Sequence, residues 1–142
     1  MTHDAAALLV RPASESDTAT IAHLAEEAGM GVLTPRGTSH VAVSEGRVVG
    51  FIRIVEAGGD RYVNPIVVAA SAQRQGVGRA LMEEARTRYG ALLFVARGSA
   101  VPFYTALGCE RVGRERISPA LGEDCDTCPD LATCSPVPMI YR

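Results

Sequence analysis

Residues 61–96 read RYVNPIVVAASAQRQGVGRALMEEARTRYGALLFVA, and this stretch restricts the fold more than any other. A strand-like run, RYVNPIVVAA, leads into a bend carrying Gly76 and Gly78. A helical stretch follows, with Val77, Leu81 and Ala85 on one face and Gly90 as its stop. ALLFVA then forms an unbroken apolar run, the pattern of a strand buried on both faces. Two strands joined through a helix become parallel neighbours with a right-handed crossover.

The flanking segments supply antiparallel strands. Leu8–Val10 reads as a first strand, ended by Pro12. In SESDTATIAHLAEEAGM, Ile21, Leu24, Ala25 and Ala28 repeat at helical spacing. Ser14, Ser16 and Asp17 are cap candidates, and Gly29 is a stop. GVLTPRGTS is a loop or a broken helix. HVAVSEGRVVGFIRIVE predicts a hairpin about Ser44-Glu45-Gly46, and AGGD at 57–60 a second tight turn. Pro65 lacks a ladder donor, so a bulge or unpaired position is expected near it. SAVPFYTALG predicts a short helix capped by Ser99, and CERVGRERI and VPMIYR predict closing strands. The order β-α-β-β-β-α-β-α-β-β gives a three-layer α/β (α+β) sandwich. Its central sheet is mixed, with one parallel pair. With 142 residues, 47% of them hydrophobic, one packed domain over 1–142 is expected. It carries a polar cysteine-containing insertion at about 118–136.

A net charge of −2 gives no reason to expect a nucleic-acid partner. No apolar run approaches the roughly 20 residues of a membrane span. MTHDAAALLVRP lacks a basic start and a long apolar segment, so a cytoplasmic location is expected. Four cysteines there suggest free thiols or a metal before disulfides.

Two glycines at a helix start need a reason, because interior glycine costs roughly 1 kcal/mol against alanine. The first helical N–H groups lack internal acceptors, and the helix dipole is positive there. The amides of Gln75, Gly76, Val77, Gly78 and Arg79 can converge on a phosphate, with Arg74 and Arg79 adding charge. The other reading is a tight turn with no ligand. A dinucleotide fingerprint would need a third glycine where Leu81 stands. A Walker loop would need Lys followed by Ser or Thr where Arg79 and Ala80 stand.

Gln73-Arg74-Gln75-Gly76-Val77-Gly78 resembles the [RQ]-x-x-G-x-[GA] signature of the GNAT superfamily of acyl-CoA N-acyltransferases. Ala100, Phe103, Tyr104, Leu107 and Gly108 match a second signature, A-x-x-F-Y-x-x-L-G, and VRPASESD is similar to the family's first strand and helix. The resemblance covers roughly residues 8–114 and the last strand. It implies that the loop amides hold the pyrophosphate of coenzyme A and that acetyl-CoA is the co-substrate. It also implies a bulge that splays the parallel strands so that the pantetheine arm pairs with the main chain. Homodimers are common in the family. Two positions depart from the pattern: Arg97 stands where Asn is frequent, and Cys109 where Phe is usual. Arg97 bears on cofactor or substrate contacts.

Acetyl transfer to an amine makes three demands. The amine must lose a proton from an ammonium of pKa about 10.4. The carbonyl oxygen's developing charge needs N–H donors. The departing thiolate must be protonated or solvated. The resemblance assigns the second to N–H groups around Val67 and Val68. It assigns the third to Tyr104 as general acid, whereas the residues alone favour an aromatic core anchor there. For the first, Glu56, Asp60, His40 and Glu26 are available, none singled out; His3 and His23 are weaker. Cys125, Cys128 and Cys134, with or without Cys109, allow a metal site, a disulfide or free thiols. Glu123, Asp124, Asp126 and Asp130 around them disfavour a reactive thiolate. The function expected is an acetyl-CoA-dependent N-acetyltransferase acting on a small-molecule or protein amine. The alternative is a non-catalytic coenzyme A sensor with a metal- or redox-responsive cysteine loop.

Overall fold

The computed structural model of the protein describes residues 8–119 and 135–142. Seven strands form one sheet in the order β1-β2-β3-β4-β5-β7-β6. They are β1 (Leu8–Pro12), β2 (Thr38–Ser44), β3 (Arg47–Ala57), β4 (Asp60–Val68), β5 (Leu92–Ala96), β6 (Glu110–Arg111) and β7 (Val137–Tyr141). Helices α1 (Thr18–Glu27), α2 (Val77–Tyr89) and α3 (Val101–Leu107) lie between them in sequence. β4 and β5 are parallel, with Tyr62 opposite Leu93. β1–β2, β2–β3, β5–β7 and β6–β7 are antiparallel. The mixed, mostly antiparallel sheet is therefore the one the sequence predicts.

The chain forms two compact units. One holds the described residues up to Val55 together with Asn64–Arg88. Its sheet face toward α1 packs Leu24 and Ala25 against Val41, Phe51 and Val67. Val41 pairs with Phe51, and His40 with Ile52, so these pairs face opposite sides of the sheet. On the α2 side a side chain at Gly50 would meet Val77 and Leu81. Burial of Phe51, Ile52, Leu81 and Met82 contributes roughly 1.5–3 kcal/mol each. The β2–β3 hairpin turns on Glu45 and Gly46, both at positive φ, as a two-residue turn requires. Ala28 is exposed, because α1 ends at Glu27 and Ala28 is its cap.

The other unit holds Glu56–Val63 and the described residues from Tyr89 onward. Tyr62, Leu93, Ile117 and Ile140 form its core. The Tyr62 hydroxyl accepts the Ser118 N–H at 2.8 Å. Here the sequence expectations need two corrections. Ser99 caps nothing: it sits inside a 3-10 turn, Gly98–Ala100, and Ala100 precedes α3. The strand expected over CERVGRERI is only two residues long, and Arg114–Arg116 forms a 3-10 turn after Gly113. Pro65 lies within β4 and follows a cis peptide bond.

The start of α1 is held by an ion pair whose carboxylate is buried and whose guanidinium is half-exposed. The Asp17 carboxylate is 5% exposed and accepts the Ser14 N–H at 2.8 Å. It also accepts two N–H bonds from Arg11, at 2.8 and 3.2 Å. The Arg11 guanidinium first, then the Ser14 amide, pulls the carboxyl down to about 2. A depressed folded pKa stabilises above the unfolded value of 3.8, and that stability is lost as pH falls toward about 2. Asp17→Asn is expected to cost about 1–2 kcal/mol near neutral pH, after discounting for the half-exposed Arg11. Urea titrations from pH 7 to pH 2 check this. The variant should lose the part of the acid dependence that falls between about pH 4 and 2.

Candidate active site

β4 ends at Val68, and the chain passes through a 3-10 turn, Ala70–Ala72, and the turn Gln73–Gly76 into α2. Arg74 and Gly76 adopt left-handed conformations, with φ of 66° and 82°. Nothing crowds a side chain at Gly76, so glycine is required there by its dihedral angle and not by space. Gly78 is different. It lies in the first turn of α2 with no positive φ. Its cost of roughly 1 kcal/mol is not offset by backbone conformation. The Ala80 N–H reaches back to the Gly76 carbonyl at 3.0 Å. The amides of Val77, Gly78 and Arg79 therefore precede the first intrahelical bond. Buried Val77 and Leu81 fix the helix beneath them. Arg79 turns along the helix to Glu83, at 3.1 Å, while exposed Arg74 stays on the bend. Gln73 and Gln75 reach the carbonyls of Val68 and Ser71 through long 3.4 Å contacts. A helix start of this kind, with a basic residue on its bend, can accept an anion.

Val67 and Val68 close β4, Val67 buried and Val68 half-buried. Tyr104 belongs to the other unit. It is 8% exposed on α3, with its ring 4.6 Å from Phe94 and 5.0 Å from Phe103. Burial, and then the neighbouring Cys109, pushes its phenol up to about 12. Against a thiol near 8.5, complete proton transfer is uphill by more than the sequence suggested. The phenol thus stays neutral near pH 7 and keeps a proton that it can offer in a hydrogen bond. Cys109 is buried, and its N–H bonds the Tyr104 carbonyl at 3.0 Å.

The first unit also contains a cavity of about 520 Å³. Ile21, His23 and Glu26 of α1, the 31–36 loop, Ser39 and Arg53 line it. Arg53 is 6% exposed. Its Nε donates to the Asn64 carbonyl and its Nη1 to the Thr34 carbonyl, both at 2.7 Å.

A family model described as an acetyltransferase (GNAT) domain matches residues 35–110, more than half of the chain. The chain belongs to the GNAT acetyltransferases. Comparison with curated proteins gives no match. Among solved structures, this GNAT enzyme is similar to Ard1 from Thermoplasma volcanium, at 18% identity and TM-score 0.70. That match covers 95% of this chain and 97% of the other. It is similar to the ribosomal-protein-S18-alanine N-acetyltransferase from Escherichia coli, at 20% identity and TM-score 0.63, over 75% and 79% of the two chains. N-acetylglutamate synthase from Neisseria gonorrhoeae, solved with coenzyme A and L-arginine, aligns at 14% identity and TM-score 0.73. That match covers 95% of this chain but 33% of the synthase. The GNAT enzyme is thus an N-acetyltransferase that uses acetyl-CoA. No helix among its described residues is long and apolar enough to cross a membrane.

The base candidates of this GNAT enzyme now separate. Asp60 is held below its ordinary value by hydrogen bonds from Arg116, at 2.7 and 3.4 Å. Glu56 meets Arg61 at 3.3 Å on the surface. His40 is buried, and burial first, then Arg88, pushes it down against the opposing pull of Glu84. Only Glu26 of the four lines the cavity. The sequence reading passed over Arg53, although its alternation with Phe51 and Val55 in FIRIVE marks it as facing inward. Cys125, Cys128, Cys134 and the acidic residues among them, like His3, lie outside the described residues. Among the described residues no cluster of three or more His, Cys, Asp or Glu could hold a metal.

Proposed function

We propose that the Gln73–Arg79 bend binds the pyrophosphate of acetyl-CoA through the amides of Gln75, Gly76, Val77, Gly78 and Arg79. One observation carries this reading: a left-handed bend at Arg74 and Gly76 leads straight into the first turn of α2, whose leading amides precede the first intrahelical bond. Arg74 supplies positive charge beside them. The N–H groups around Val67 and Val68 face the thioester carbonyl and stabilise its oxyanion. The neutral amine attacks, a C–N bond forms, and the C–S bond breaks. The amine's surplus proton leaves to a base or water, and the sulfur leaves as a thiolate accepting a hydrogen bond from Tyr104.

The acceptor is a primary amine of a small molecule or a protein, and the protein is cytoplasmic. Homodimerisation is part of the same reading, and light scattering tests it. The non-catalytic sensor is not favoured, since the chain matches an acetyltransferase model across the glycine bend and Tyr104.

Thiol release from acetyl-CoA with an amine panel, run beside calorimetry with coenzyme A, is the test. Association with turnover supports the reading; association without turnover across the panel favours the sensor. Tyr104→Phe is expected to lower kcat by about 10- to 30-fold with little change in KM for acetyl-CoA. That is the weight of one hydrogen bond to a charged sulfur. Unchanged kcat would remove the donor role.

A further inference from the structure

We infer that the cavity beneath α1 is the acceptor site and that it selects amines bearing a carboxylate, with Arg53 and Arg36 as its anion grip. This rests on the acetyltransferase reading and specifies its substrate class. Arg53 is a buried cation whose hydrogen-bond partners among the described residues are two backbone carbonyls and no carboxylate. Buried charges are ordinarily paired. Those two bonds use two of the guanidinium's five N–H donors. They lock the planar group against β4 and the 31–36 loop while it lines the cavity. Arg36 lines the same cavity; the burial of Arg53 first, and then the charge of Arg36, works against the charged form of Arg53. Two cations on one wall with a desolvated fork form a carboxylate site.

The remaining lining narrows the class. Glu26 would repel a dianion such as a phosphate monoester but suits an ammonium. Ile21, Val32, Leu33 and Pro35 suit an apolar side chain. A zwitterionic amino acid with an apolar side chain meets all three demands. The cavity's volume accommodates it. Asn64, whose carbonyl holds Arg53, lies three residues before Val67 on β4, about 10 Å of strand. The acceptor grip and the proposed oxyanion donors are thus set by one strand.

The test compares L-leucine with L-leucinamide in the acetyl-CoA thiol-release assay. The amide has the less basic amine and more of it neutral, so any bias favours the amide. Turnover of the acid at about 30-fold higher kcat/KM is expected. Arg36→Gln, at an exposed position, should narrow the ratio of kcat/KM for the acid over the amide by about 10-fold. Arg53→Lys, checked for folding by urea denaturation, keeps the charge but loses the fork and should abolish most of the preference. Coenzyme A affinity should stay constant in both variants. Equal turnover of the two acceptors, or a preference for the amide, overturns the inference and leaves acetyl transfer standing. If neither turns over, leucine is titrated into protein saturated with coenzyme A. No heat at roughly 10 mM overturns the inference. No association with coenzyme A overturns the acetyltransferase site as well.

Discussion

Gly78→Asp is expected to weaken coenzyme A binding by more than about 100-fold while leaving the fold at least as stable. The two effects have opposite signs because they act through different groups. Residue 78 lies in the first turn of α2, where a carboxylate favours the helix dipole by about 0.3–1 kcal/mol. Replacing an interior glycine adds a few tenths more. The same carboxylate would stand among the amides assigned to the diphosphate. Like charges about 5 Å apart, at an effective dielectric near 20, repel by roughly 3 kcal/mol. Calorimetry with coenzyme A and urea denaturation on the same sample read both quantities. Unchanged affinity would show that the bend does not hold the diphosphate. Loss of stability in step with affinity would reduce the result to misfolding.

Gly37→Ala is expected to cost about 3 kcal/mol of stability, lowering Tm by about 10 °C in a chain of this size. Gly37 adopts φ of 72°, which penalises any side chain by roughly 1–2 kcal/mol. A Cβ there would also collide with the Ile54 carbonyl oxygen and meet Val55 Cγ2 at 3.0 Å. Overpacking of that kind costs typically 1–3 kcal/mol. The collision lies between the 31–36 loop and β3, so it disturbs the cavity wall and leaves α2 alone. KM for the acceptor should rise while coenzyme A affinity holds. Thermal unfolding with paired kinetics decides it; wild-type Tm would mean that the loop does not lie against β3.

The order of elements was legible because each carries its own periodicity. ALLFVA has no polar interruption, and Leu24 and Ala25 fall on one helix stripe. The glycine bend was legible because its residue types have few other uses. Distances along the chain hid the remainder. The strand alternation shows that Arg53 faces inward, but what holds it there, the carbonyls of Asn64 and Thr34, lies 11 and 19 residues away. The shift of Tyr104 comes from burial against Phe94 and Cys109, which no local pattern encodes. Ser99 failed as a cap because a 3-10 turn intervenes before α3, and serine alone does not fix where a helix begins.

β3 has one further consequence for how such a chain can change. Phe51 and Arg53 point to the α1 side, and Gly50 to the α2 side that supports the glycine bend. On the assignments proposed above, odd-numbered positions here concern the amine and even-numbered ones the thioester carrier. Mutation can then explore new acceptors at alternate sites without disturbing the donor, so one ancestral scaffold could diversify its chemistry in single steps.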